Sequence, residues 1–489
     1  MNDPILPAAR DFLAQNPIPH CINGAPKLSS DGGTREILNP ADGSVIATVS
    51  FGGTAEIQEA VAAASKAFPA WSAMSPSERA VILHRWADRM EKESAVLSQI
   101  ETLDVGKTIT AAEGFDIPFG IEGLRYFANF SVYAQYETPL ALKNIEARVH
   151  RAPYGVCGFI FPWNFPFDLL IWGVAPALAA GNTVVVKPSE VTPLSTLYAA
   201  RLATETGLPP GVLNIVVGDG PGAGAAMVNH PSVKRISFTG STEAGALVGA
   251  ACGRRIIPCK LELGGKGAAV VFDDADVPSA AEKLAAAITL NTGQVCCTAT
   301  RWIVHERIYD AFASAAVLAL KNVKIGTGLD RSTAMGPLVS EVQRKRVMGY
   351  FEKGTQAGAR VVLEATVPKG AGYFVSPWLL EGGPDNICFR EEIFGPAAYL
   401  TPFRTESEAL DLIHHVDYGL ANSLWTNDLN RAARFANQMV VGNTWINAHN
   451  VFAYGLPYGG VSRSGMGGGV NSPATFYDYL RDQTIARPL

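Results

Sequence analysis

The chain of 489 residues is 48% apolar and 17% charged, a composition that excludes disorder and suits a soluble globular protein with about three domains' worth of chain, some of it discontinuous. A net charge of −5 leaves no electrostatic footprint for nucleic acid. The seven cysteines, Cys21, Cys157, Cys252, Cys259, Cys296, Cys297 and Cys388, are scattered without the CxxC pairs of a zinc site, so they read as reduced thiols and no metal is expected.

The N-terminus, Met1-Asn-Asp-Pro-Ile-Leu-Pro7, lacks a basic region followed by an apolar stretch, so no secretory signal is expected and the cytoplasm is the expected location. Residues 54–71 and 75–100 read as amphipathic helices. The second opens with Ser75-Pro-Ser-Glu78, a capping box with proline in the first turn. The uncharged run 169–186 is about as long as a membrane span. It contains Gly173, Pro176 and Gly181-Asn182 and leads into Lys187, so a buried helix followed by a buried strand is expected and no membrane segment.

From residue 154 short β-rich runs alternate with alanine-rich helices. Strands are expected at 156–161, 183–187, 213–217 and 235–239. A second alternating series has strands at 269–272 and 302–304 around a helix at 279–290. Two such series imply an α/β protein with two doubly wound parallel-sheet lobes and a cleft between them. The basic run Arg344-Lys-Arg346 reads as a solvated helix face.

Several segments carry chemistry-bearing residues. Cys296, in Asn291-Thr-Gly-Gln-Val-Cys-Cys-Thr-Ala-Thr-Arg301, follows a helical pattern at a turn that can expose its sulfur. A free thiol has a pKa of about 8.5, so a helix N-terminus or a cation is expected to raise its thiolate fraction. A lone cysteine is also often a small buried apolar residue. Glu262, in Leu261-Glu-Leu-Gly-Gly-Lys266, is either a base or the ion-pair partner of Lys260 or Lys266. Gly240-Ser-Thr-Glu-Ala-Gly245 follows a strand and opens a helix, where backbone amides can face a phosphate. It is neither a G-x-G-x-x-G fingerprint nor a P-loop. Lys187-Pro-Ser-Glu190 ends a buried strand, where such sheets place ligands or carry an ordinary charge pair. Asn164, in Phe161-Pro-Trp-Asn-Phe-Pro166, is a candidate donor or a turn former.

Taken in order and spacing from about residue 35 to 465, these segments resemble the signatures of the NAD(P)-dependent aldehyde dehydrogenase superfamily. The resemblance implies Cys296 as nucleophile, Glu262 as deacylating base and Asn164 with the Cys296 amide as oxyanion donors. It further implies hydrolysis to the acid, since CoA-acylating relatives usually lack the glutamate. Phe161, Trp163, Lys187, Glu190, Gly240, Ser241, Glu392 and Phe394 would hold NAD, with NADP possible. Phe119, Phe165, Leu169, Trp172, Val295, Cys297, Asn450, Phe452 and Tyr458 would line an aromatic, largely uncharged aldehyde tunnel. Leu290 stands where semialdehyde-oxidising relatives often have arginine.

The implied domains are a Rossmann-like cofactor domain (1–130 and 153–264), a catalytic domain (265–463) and a small β oligomerisation module (131–152 and 464–489) of a homodimer or homotetramer. Ser462 replaces the family's common lysine, and Gly467-Gly-Gly-Val-Asn-Ser472 replaces its Arg-Glu pair, which bears on the tail's packing. A cysteine acyltransferase or hydrolase using His305 or His449, and a non-catalytic member of the fold, are the rival readings.

Overall fold

The structure, a computed structural model, describes residues 5–489. The first four residues of the expected signal-free N-terminus lie outside the described residues. The chain forms two large sheets, a small three-stranded one and two two-stranded ones.

The first sheet runs in the order Ala25–Lys27, His20–Ile22, Leu213–Ile215, Thr183–Lys187, Val156–Ile160, Val233–Thr239, Cys259–Glu262 and Gly465–Met466. Its five strands from Leu213–Ile215 to Cys259–Glu262 are parallel. Side chains alternate between faces along a strand. Val184 and Val186 accordingly pack with Phe159, Leu170 and Leu197 on one face, while Val185 packs with Ile57, Val61 and Ile236 on the other. Both faces are covered by helices, which is why these strands read as unbroken apolar runs. Strand order reverses between Val156–Ile160 and Val233–Thr239, and a crevice opens at the carboxyl ends of strands at such a reversal. Residues 161–166 and 240–245 begin there.

The run 169–186 is resolved as the helix Pro166–Ala179 and the buried strand Thr183–Lys187. No helix among the described residues is long and apolar enough to cross a membrane. The helix expected at 75–100 is two helices, Pro76–Lys92 and Ser94–Val105. The capping box at Ser75 and Glu78 is formed. The break is at Glu93, with φ −102° and ψ 12°, whose carboxylate pairs with Arg89 and reaches the Tyr198 hydroxyl. Apolar periodicity continues across it, so the pattern alone does not reveal the break.

The second sheet has seven strands, in the order Arg360–Leu363, Trp378–Glu381, Ala397–Phe403, Ala299–His305, Gly267–Val271, Ala421–Trp425 and Asn443–Ile446. The third is antiparallel, with Ile145–Pro153 between Glu137–Leu142 and Leu480–Pro488. The tail does not all join it: Gly465–Met466 pairs with Cys259–Glu262 and extends the first sheet.

Candidate active site

Glycines let the two lobes close on each other at the cavity. A side chain on Gly265 would meet the Cys296 carbonyl at 2.2 Å, and one on Gly264 would meet the Glu392 carboxylate at 2.4 Å. The Gly-Gly after Glu262 therefore admits both the cysteine loop and the Glu392 segment. A third close approach is Gly293 against the Gly395 carbonyl at 2.1 Å.

The loop before Cys296 turns through left-handed backbone at Asn291 (φ 46°), Thr292 (φ 57°) and Gly293 (φ 72°). For a β-branched threonine this is a strained conformation, held only where the surroundings over-determine it. Here they do. The buried Gln294 side chain donates to the Asn291 carbonyl at 3.0 Å and accepts from the Val339 amide at 2.9 Å, and Thr292 Oγ1 donates to the Gly336 carbonyl at 3.0 Å. Asn164 Nδ2 donates to the Gln294 carbonyl at 3.0 Å, and Asn291 Nδ2 donates to the Asn164 carbonyl at 2.9 Å. The candidate oxyanion donor and the nucleophile's loop are thus tied together.

The partly buried Cys296 thiol lies 3.3 Å from the Tyr458 hydroxyl. The expected cation or helix terminus is not what surrounds it. The neighbouring Cys297 and burial push the Cys296 thiol well above its ordinary value, and Tyr458 pulls it back. Tyr458, expected as an apolar wall, thus contributes a hydroxyl that burial holds in its neutral form. Cys297 Sγ donates to Asn450 Oδ1 at 3.4 Å, and the adjacent Cys296 and Tyr458 draw the Cys297 thiol below its ordinary value.

Glu262 is buried and neither of its carboxylate oxygens makes a hydrogen bond of normal geometry. Burial pushes its carboxyl well above the usual carboxylate range, against weaker pulls from Lys260 and the Gly460 amide. The ion-pair alternative fails for both lysines. Lys260 pairs with Asp478 at 2.9 Å and donates to the Gly469 carbonyl at 2.5 Å, while Lys266 Nζ is buried without a partner. Glu262 and Cys296 repel each other when both are charged, so their protonation is linked. The glycine run after Met466 wraps this strand: a side chain on Gly467 would meet the Cys259 carbonyl at 2.4 Å.

One cavity of about 890 Å³ is lined by Cys296, Glu262 and Asn164 together with Phe161, Trp163, Gly240, Ser241, Glu392 and Phe394. Ser241 caps the helix Thr242–Arg255, and Gly245 lets that helix lie against Leu263. Glu392 Oε1 accepts from the Gly265 amide at 2.8 Å, and burial lifts its carboxyl to about 7. Phe394, at φ 63°, meets Trp163 edge-on at 5.3 Å. Lys187 and Glu190 lie outside this cavity at the end of Thr183–Lys187. There Lys187 donates to the Pro188 and Gly218 carbonyls and stands 3.5 Å from Glu190.

Of the expected tunnel residues, Phe165, Leu169, Trp172, Val295, Cys297, Phe452 and Tyr458 line the cavity. Phe119 and Asn450 do not: Phe119 stands behind, stacked on Phe115 at 4.9 Å, and Asn450 is turned to Cys297. Asp168 is a lining residue that the expectation of an uncharged tunnel left out. Arg346 is another missed residue. It is exposed as a solvated face requires, yet it lines the cavity and donates to the Glu392 carbonyl at 2.8 Å. The rival histidines do not reach the nucleophile's thiol. His449 Nε2 bonds the Cys297 carbonyl at 2.9 Å, with burial lowering its pKa to about 4, and His305 packs on Phe403.

Residues 28–485 match the aldehyde dehydrogenase family. The chain is 39% identical to phenylacetaldehyde dehydrogenase of Pseudomonas fluorescens over 89% of each chain. It is 40% identical to 2-hydroxymuconic semialdehyde dehydrogenase of Pseudomonas sp. strain CF600 over 95% of this chain and 98% of the relative. The NAD+ complex of aldehyde dehydrogenase from Bacillus cereus superposes with a TM-score of 0.97 at 36% identity, covering 99% of each chain. The chain belongs to the aldehyde dehydrogenase family and is an NAD(P)-dependent oxidoreductase that converts an aldehyde to its carboxylic acid.

Proposed function

We propose that this enzyme oxidises uncharged aromatic or medium-chain aliphatic aldehydes, with Cys296 as nucleophile. The observation that carries the reading is the single cavity joining Cys296, Asn164 and Glu262 to the start of the helix Thr242–Arg255 and to Glu392 and Phe394. Asn164 Nδ2 spends one hydrogen on the Gln294 carbonyl and keeps the other for an oxyanion. The Cys296 thiolate, receiving a hydrogen bond from Tyr458, adds to the carbonyl carbon. Asn164 and the Cys296 amide hold the resulting oxyanion, a contribution of roughly 2.7–4 kcal/mol per donor in the transition state. NAD, which Gly240, Ser241, Glu392 and Phe394 would hold in the same cavity, would supply the hydride acceptor when bound. The acyl group is then left as a thioester on Cys296; Glu262, in its carboxylate form and in the same cavity, takes a proton from the attacking water, the C–S bond breaks, and the acid leaves with the Cys296 thiolate restored.

NAD is the preferred cofactor on this reading, because the Glu190 carboxylate accepts hydrogen bonds from ribose hydroxyls and repels a 2′-phosphate. Phe115, Phe165, Leu169, Trp172, Leu290 and Phe452 form an aromatic and aliphatic wall, and a relative is named for phenylacetaldehyde. Burying a phenyl-sized group there contributes roughly 1.5–3 kcal/mol. The domains expected above, the oligomer built on the three-stranded sheet and a cytoplasmic location belong to the same proposal. The test is an aldehyde panel with purified enzyme and NAD, following NADH and the acid. Benzaldehyde or hexanal should exceed succinic semialdehyde in kcat/KM. The reverse order would overturn the pocket assignment.

A further inference from the structure

The aromatic wall contains two buried polar side chains that make no hydrogen bond of normal geometry within the protein. Asp168 is 2% exposed and both of its carboxyl oxygens lack hydrogen-bond partners. Trp172 Nε1 is likewise buried and makes no hydrogen bond of normal geometry; the Tyr454 hydroxyl beside it donates to the Phe119 carbonyl at 2.9 Å. Both side chains belong to the helix Pro166–Ala179, four positions apart and therefore on one face, and both residues line the cavity. Around them stand rings: Phe119 5.9 Å and Phe452 6.2 Å from Trp172, with Phe115 stacked on Phe119.

Buried polar groups are nearly always paired, and a pair left open beside a cavity marks a place for a ligand's polar group. We propose that Asp168 and Trp172 form a hydroxyl subsite, receiving a hydroxyl group remote from the aldehyde carbon, so that the preferred substrates are hydroxylated aromatic aldehydes. This deepens the aldehyde-oxidising reading above and rests on it.

The chemistry selects a hydroxyl over other groups. A hydroxyl both donates and accepts, so it satisfies a carboxyl oxygen and an indole N–H together. An ammonium has no lone pair for the indole N–H. A carboxylate faces the acidic cluster of Glu101, Asp116 and Asp168, whose nearby cation, Lys107, is already held by Glu101 and Asp116 at 3.0 Å each. Burial and the neighbouring Asp116 push the Asp168 carboxyl well above the usual range, which suits a neutral partner. The position of Asp168 in the first turn of its helix offers a plainer reason for an acid there. A capping or dipole role, however, would have the carboxyl accept from the helix's first amides, and neither Asp168 oxygen makes such a bond.

The test compares kcat/KM for 4-hydroxybenzaldehyde with benzaldehyde, and for 4-hydroxyphenylacetaldehyde with phenylacetaldehyde, in the wild-type enzyme and in Asp168→Leu and Trp172→Phe. The wild type should favour the hydroxylated member of at least one pair by about tenfold or more, because sites built to bond a hydroxyl discriminate strongly against its loss. Each variant should bring that ratio to within about threefold of unity. Trp172→Phe keeps the ring and carries the test if Asp168→Leu does not fold. Equal kcat/KM within both wild-type pairs, a ratio unmoved by the variants, or a preference for 4-aminobutanal over all four would overturn the subsite. Oxidation of none of these aldehydes would instead overturn the broader substrate reading.

Discussion

The two ends of the cavity handle their polar groups in opposite ways. At the end assigned to the cofactor they are already bonded: Ser241 caps its helix, Glu392 accepts from the Gly265 amide, and Lys187 at the neighbouring strand end donates to two carbonyls. At the reacting end they are left open: both oxygens of Glu262 and Asn164 Oδ1 are unpartnered, and the Cys296 thiol is held in an environment that resists its ionisation. Groups that only bind are preorganised by the backbone, while groups that exchange protons are kept short of partners, so their pKa values stay movable by substrate.

That contrast is broken most severely by deleting the nucleophile. Cys296→Ala should lower turnover by more than about 10⁴-fold, while NAD binding followed by fluorescence persists, because no contact at the cofactor end is lost. Cys297→Ala should keep most of the rate, since its sulfur is turned to Asn450. Loss of activity in the second variant and its retention in the first would exchange the two assignments.

A smaller break leaves the first half-reaction intact. Glu262→Gln should give a burst of NADH of up to about one equivalent per site, followed by a steady rate roughly 10²–10³-fold below wild type as the thioester accumulates. Rapid-mixing absorbance distinguishes the phases. Unimpaired steady turnover would return Glu262 to a structural role.

What was legible in the sequence divides along the same line. The strand and helix runs of the cofactor lobe follow from unbroken apolar stretches, and the strands at 183–187 and 235–239 fall within a few residues of Thr183–Lys187 and Val233–Thr239. The strand expected at 302–304 extends over Ala299–His305, because threonine and arginine at its start look like a loop until Arg301 is seen donating to the Lys266, Leu412 and Ile413 carbonyls. The left-handed backbone has a local signal at Asn291 and Gly293 but none at the β-branched Thr292, which is held there by its bond to the Gly336 carbonyl and by the Gln294–Val339 bond. Asp168 did carry a signal. Phe165, Leu169 and Trp172 recur at helical spacing, and that spacing puts residue 168 on the same face. Expecting an aromatic tunnel hid it.

At the cofactor end the expected effects are moderate, since backbone contacts carry much of the binding. Glu190→Gln should reduce the ratio of kcat/KM for NAD over NADP by about tenfold, the scale of one charge-assisted hydrogen bond. Lys187, 3.5 Å away but committed to the Pro188 and Gly218 carbonyls, offsets the carboxylate only in part. A wild-type preference for NADP, or a ratio indifferent to the substitution, would remove Glu190 from cofactor selection.

The smallest change tests whether the reacting end is as unassisted as its open groups suggest, because Tyr458 is the exception there. Its hydroxyl lies 3.3 Å from Cys296 Sγ and draws the thiol's pKa down against burial and Cys297. Removing it in Tyr458→Phe keeps the ring against Trp172 and Phe452 but takes away a donor that favours the thiolate. The Cys296 pKa should therefore rise further, so at any pH below it the reactive thiolate is scarcer. The rising acidic limb of kcat/KM against pH should move to higher pH, and the value at neutral pH should fall about threefold, the scale of one net hydrogen bond. A steric or packing role predicts something different, a uniform loss at every pH with the limb unmoved. Measuring the full profile rather than a single rate separates the two, and an unshifted limb would return Tyr458 to the wall of the tunnel.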